Sequence, residues 1–78
     1  MEVINTKKIA SVELAEVLVS ADEIDVYQTA LDLVLSQMSE REIENKFGAT
    51  RDEIEGILED LQLVSKTCAE NQIESVLA

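Results

Sequence analysis

The chain predicts an all-α fold, a small bundle of four to five helices in a single domain over residues 1–78. Three observations carry that expectation. Proline is absent and only two glycines occur, Gly48 and Gly56, so little interrupts a helical backbone. Three segments, Ser20-Ala21-Asp22-Glu23, Ser39-Glu40-Arg41-Glu42 and Thr50-Arg51-Asp52-Glu53, have the form of a capping box. In that motif the hydroxyl accepts from the amide three residues on, and the glutamate reaches back. Apolar residues near or behind each box recur at three- and four-residue steps, the spacing of one helical face.

Taken in order, residues 1–8 show no clear period and read as a short arm. Ile9, Val12, Ala15 and Val19 then fall at helical spacing, with Leu14, Val17 and Leu18 off that stripe. A first helix here is apolar nearly all round and needs cover on several sides; a strand over Val17-Leu18-Val19 is the weaker reading. The Ser20 box opens a second helix, whose stripe is Ile24, Tyr27, Leu31, Val34, Leu35 and Met38. Val26 and Leu33, seven residues apart, lie off it and mark a second contact surface, a candidate oligomer seam. The Ser39 box opens a short third helix with Ile43 and Phe47 as its apolar pair, and Gly48 suits the left-handed position that ends it. The Thr50 box opens a fourth helix with the stripe Ile54, Ile57, Leu58 and Leu61. The tail has two readings. Ile73, Val76 and Leu77 form one face of a fifth helix capped by Thr67 or Asn71. Alternatively Leu63–Cys68 and Ile73–Leu77 form a hairpin around Glu70-Asn71, giving a winged helix.

Over residues 40–61 the order of residues is Ile43, then Phe47-Gly48-Ala49, then Thr50, then Ile54 and Ile57. This resembles the helix-turn-helix family, in which an aliphatic, an apolar residue with glycine at the turn, a small residue and a Ser or Thr opening the second helix occupy these places. The resemblance implies a tri-helical core with Ile24–Met38 as its first helix, and a second helix of the motif that enters a DNA groove. Two departures stand beside it. Glu44 takes a place where the family prefers a small residue. The groove-entering helix carries Asp52, Glu53, Glu55, Glu59 and Asp60 against one basic residue, Arg51. Base reading uses mainly Arg, Lys, Asn and Gln, and a carboxylate near phosphates is repelled.

Charge over the whole chain points the same way. Seventeen acidic and six basic residues give a net charge of −11, the wrong balance for neutralising phosphates. An acidic face instead suits a basic surface on another protein, where charge steers association. No histidine occurs and the one cysteine, Cys68, has no partner within the chain and no histidine to activate it, so it reads as inert. Catalytic triads, common metal sites and phosphate loops are excluded or disfavoured, which argues against an enzyme and against a cofactor. The Asp22, Glu23 and Asp25 cluster lacks the pattern of a calcium loop and reads as acids at a helix N-terminus. No apolar run reaches the length of a membrane span, and no secretory leader is evident, so a cytoplasmic protein is expected.

The functional expectation is therefore a non-enzymatic regulator that docks an acidic helical face, Asp52, Glu53, Glu55, Glu59 and Asp60, onto a basic protein such as a nucleic-acid-binding one. In size and charge such chains resemble phage-encoded inhibitors, including DNA mimics. One alternative is a dimeric DNA-binding transcription regulator with Thr50 and Arg51 at the groove and Lys7, Lys8, Lys46 and Lys66 on phosphates. Another is an assembly module with Val26 and Leu33 in the seam.

Overall fold

The computed structural model describes the backbone of residues 1–77 and the side chains of residues 1–70. The order of elements is β1 (Glu2–Ile9), β2 (Val12–Leu18), α1 (Ala21–Gln37), α2 (Glu40–Phe47) and α3 (Arg51–Leu77). The fold is thus α+β, a hairpin followed by three helices. The all-α expectation is overturned at the front of the chain, where the hairpin stands.

At the front, the strands pair antiparallel from Ile9↔Val12 at the turn to Glu2↔Leu18 at the open end. The segment read as an arm supplies all of β1 except Ile9. The segment read as a first helix is the turn and β2. Val12, Leu14, Glu16 and Leu18 alternate with Glu13, Ala15 and Val17, and this two-residue period wins over the three-residue one. The β-branched Val3, Ile4, Thr6, Ile9, Val12 and Val17 favour extended backbone for the same segment. Ala10-Ser11 forms the two-residue turn, with Ala10 at φ 56°. One extra residue, Ile4, sits between the Val3↔Val17 and Asn5↔Glu16 pairs as a bulge on β1. Lys7 Nζ reaches Glu16 Oε1 at 2.8 Å across the pair.

At the back, α3 runs unbroken for 27 residues, about 40 Å at 1.5 Å per residue. It joins the expected fourth and fifth helices into one, so the helical reading of the tail holds without a new cap and the winged-helix reading does not. The stripe Ile73, Val76 and Leu77 lies outside the described side chains. Thr67, expected as a cap, donates its hydroxyl to the Leu63 carbonyl at 2.9 Å, a bond within the helix. No hairpin forms around Glu70-Asn71.

The middle follows the capping boxes. Ser20 and Ser39 each accept from the amide three residues on, at 3.1 and 3.2 Å, and both boxes are complete. Thr50 accepts from the Glu53 amide at 3.2 Å, while its hydroxyl donates to Glu53 Oε1 at 3.3 Å. Gly48 ends α2 at φ 65°. α1 packs along α3, and α2 rests more lightly on α3. Among the described residues the buried side chains are Ile24, Ile43, Ile54 and Leu58. Tyr27, Leu31, Val34 and Leu35 on α1, and Met38 at its C-cap, are half-buried. Gln28 Nε2 donates to the Leu61 carbonyl at 3.1 Å and ties α1 to α3. Phe47 and Ile57, both expected inward, are about half exposed.

The molecule is extended. Its radius of gyration is 15.3 Å, against about 11.5 Å for a compact chain of this length. Neither strand packs extensively on a helix. The hairpin is joined to the helices through Val19-Ser20 and by the Met1 ammonium, which meets Glu23 Oε1 at 3.0 Å.

Candidate partner-binding surface

The capping threonine fixes where α3 starts, and the start fixes which side chains point outward. With Ile54 and Leu58 buried, positions 52, 53, 59 and 60 fall on the opposite side of the helix, since each residue advances about 100°. Glu55 lies on the flank of that group, where Arg51 meets it one turn back. All five carboxylates are exposed. They are brought to one broad face by the same period that buries Ile54 and Leu58.

The neighbourhood is equally acidic. Between the start of α3 and α2 lies an open polar cleft lined by Glu40, Glu44, Thr50, Arg51 and Asp52. Glu44, the departure from the family pattern, is exposed here, which explains how a carboxylate is tolerated where a small packed residue is usual. Between Ser20 and Gln62 the chain carries twelve acidic and three basic side chains. The hairpin by contrast is close to neutral, with Glu2, Glu13 and Glu16 against Lys7 and Lys8.

The residues of the DNA-reading alternative are placed differently. Arg51 is half-buried and its Nε donates to Glu55 Oε1 at 3.3 Å, one turn along. The Thr50 hydroxyl is engaged in its own cap. Lys46 is exposed at the last turn of α2, where a cation complements the helix dipole. Lys7 and Lys8 lie on β1 and Lys66 lies far along α3. A phosphate at Thr50 and Arg51 would share the cleft with Glu40, Glu44 and Asp52, and Arg51 is already paired with Glu55.

Val26 and Leu33 are both well exposed on α1, at 64% and 51%. With Asp25, Thr29 and Ala30 they line a shallow, mainly apolar groove on α1. Sequence reasoning found this pair by its spacing. It missed the exposed apolar residues of the hairpin because it had placed them on a helix.

Electrostatics within the chain are local. Glu23 is held below its ordinary carboxylate range, chiefly by the hydrogen bond from the Met1 ammonium, with help from the Ser20 amide and hydroxyl. Tyr27 is raised above its ordinary value by partial burial and by the nearby Glu23 carboxylate. Among the described residues no group of His, Cys, Asp and Glu is arranged to hold a metal ion, and no helix is long and apolar enough to cross a membrane. No family model, curated protein or solved structure matches the chain.

Proposed function

We propose that this protein is a non-enzymatic regulator that binds a basic protein through the outer face of α3. The observation that carries the reading is the set of exposed carboxylates Asp52, Glu53, Glu55, Glu59 and Asp60 on one broad helix face, with Arg51 the one basic residue between Thr50 and Leu61. Five charges spread over eight helical steps give roughly one per 2.4 Å of axis at 1.5 Å per residue. That density lies between the ~3.4 Å per phosphate of one DNA strand and the ~1.7 Å of the duplex. A surface built to grip phosphates therefore finds a comparable linear charge here, and a nucleic-acid-binding protein is the partner class this favours. With a single cysteine, the chain is suited to the reducing cytoplasm.

Two measurements test it. Capture of basic nucleic-acid-binding proteins by the immobilised chain, identified by mass spectrometry, should be lost when Asp52, Glu55 and Glu59 are all changed to Lys. Association should slow by about 100-fold, the scale of electrostatic steering, with helical circular dichroism unchanged. Capture that survives the triple reversal removes this face from the mechanism. Retardation of random duplex DNA by the protein itself, weakening steeply with salt, replaces the proposal with direct DNA binding.

A further inference from the structure

A two-stranded hairpin is marginal in water unless further strands or a packed layer support it. Here β1 and β2 are exposed throughout and receive little cover from the helices. Their two outer edges are not equivalent. β1 carries Lys7, Lys8 and the bulge at Ile4, each a device that discourages strand addition. β2 is a regular seven-residue strand with no proline, glycine, lysine or bulge of its own, and offers Val12, Leu14, Val17 and Leu18.

We infer that a second copy of this chain docks antiparallel on the free edge of β2, giving a four-stranded sheet in the order β1-β2-β2-β1 with Ala15 on the two-fold axis. The register follows from the hairpin. The Ile9↔Val12 pair closes a two-residue turn, and hydrogen-bonded and non-bonded pairs alternate from there. Counting along, Glu13 and Ala15 stand in non-bonded pairs, so their N–H and C=O groups point to the free edge. Centring the partner on Ala15 sets Ala15 against Ala15 and Glu13 against Val17, which brings these outward groups together. The same register sets Glu16 against Leu14 and Val12 against Leu18, so no carboxylate directly faces another. Moving the centre to lie between Leu14 and Ala15 would put Glu13 opposite Glu16, a like-charge pair.

Charge and area both favour a second copy as the occupant. The hairpin is the near-neutral part of a chain of net charge −11, so two copies meet there with least repulsion. The cross-strand pair Lys7–Glu16 already neutralises one of the two strand glutamates. The chain exposes 6217 Å², whereas a compact monomer of 8.6 kDa exposes about 4,700 Å². Part of that roughly 1,500 Å² excess lies on the uncovered hairpin, and a standard interface hides only ~800 Å² per partner.

Sedimentation of the full chain at about 10 to 500 μM should give twice the 8.6 kDa chain mass. Ala15→Pro removes an outward N–H and should return the mass to that of one chain, with the helical signal retained. In a Cys68→Ser background, Ala15→Cys should cross-link to a symmetric dimer on mild oxidation, because directly opposite residues fall within disulfide reach. Leu18→Cys should not, since the two copies of that residue lie at opposite ends of the paired strands. A monomer throughout the concentration range overturns the inference and leaves the edge to a foreign strand. A dimer that ignores Ala15→Pro, fails to cross-link at Ala15, and dissociates with Leu33→Glu also overturns it, in favour of the α1 groove.

Discussion

The two glycines respond oppositely to one substitution, because only one of them needs to be glycine. Gly48 sits at φ 65° with open space where a side chain would go, so Gly48→Ala meets no clash but pays the left-handed backbone cost. We expect a loss of about 1–2 kcal/mol in urea denaturation. Gly56 lies inside α3 with equally open space and helical backbone. Gly56→Ala should stabilise the fold by about 0.5–1 kcal/mol. Equal effects of the two changes would mean that the turn does not adopt the left-handed form. Glu23 offers a second test at this scale. Its carboxyl is lowered, so the stability it contributes is present above its ordinary value of 4.5 and is lost as the pH falls through the lower folded value. Protonating the other carboxylates of an acidic chain relieves repulsion and acts in the opposite direction, so the comparison with Glu23→Gln isolates the local effect. The variant should show a smaller loss of Tm, or a larger gain, between pH 5 and 3 than the parent. Parallel pH curves would show that the Met1–Glu23 contact does not matter in solution.

At the scale of elements, what could be read in advance followed from local signals that tertiary context does not reverse. The boxes at Ser20 and Ser39 placed the starts of α1 and α2, and Gly48 placed the end of α2. The five carboxylates were legible as one face because the period that buries Ile54 and Leu58 leaves 52, 53, 59 and 60 outside and 55 on the flank. The hairpin was not legible, for two physical reasons. Ile9, Val12, Ala15 and Val19 satisfy a helical spacing while Val12, Leu14, Glu16 and Leu18 satisfy a strand spacing, and short apolar runs do not separate the two. The turn Ala10-Ser11 also lacks the Gly, Asn or Asp that usually marks a tight hairpin, since it holds an alanine at positive φ. In the tail, Thr67 carries a capping side chain but bonds to Leu63 within a continuing helix. The element most exposed to mutation is α2, which is anchored in the core by one fully buried residue, Ile43. Ile43→Ala should cost about 2–4 kcal/mol, enough to detach α2, and proteolysis should then cut between Met38 and Thr50 first. Global unfolding without such preferential cleavage would show that α2 and α3 form one cooperative unit.

At the scale of the whole molecule, charge acts on folding and on the proposed binding with opposite signs. Twelve acidic side chains share the helical unit between Ser20 and Gln62 with three basic ones, so folding gathers like charges. Working against that, among the described residues, are the ion pairs Met1–Glu23, Lys7–Glu16 and Arg51–Glu55, all at least partly exposed. Exposed pairs contribute little, typically under ~1 kcal/mol each. Repulsion should therefore dominate the response to salt. The screening length falls from about 30 Å at 0.01 M to about 3 Å at 1 M, so added sodium chloride weakens repulsion across the helix faces more than attraction within the close pairs. A gain of about 1 kcal/mol would raise Tm by roughly 4–8 °C for a domain of this size. Capture of a basic partner should weaken over the same range, because salt screens the α3 carboxylates from the partner's cations. A Tm that rises while binding falls, followed in one salt series, is the expected pattern. A Tm that falls with salt would mean that ion pairs outweigh the acidic crowding. Binding that holds steady would mean that the partner is gripped by apolar surface such as Val26 and Leu33 instead of by charge.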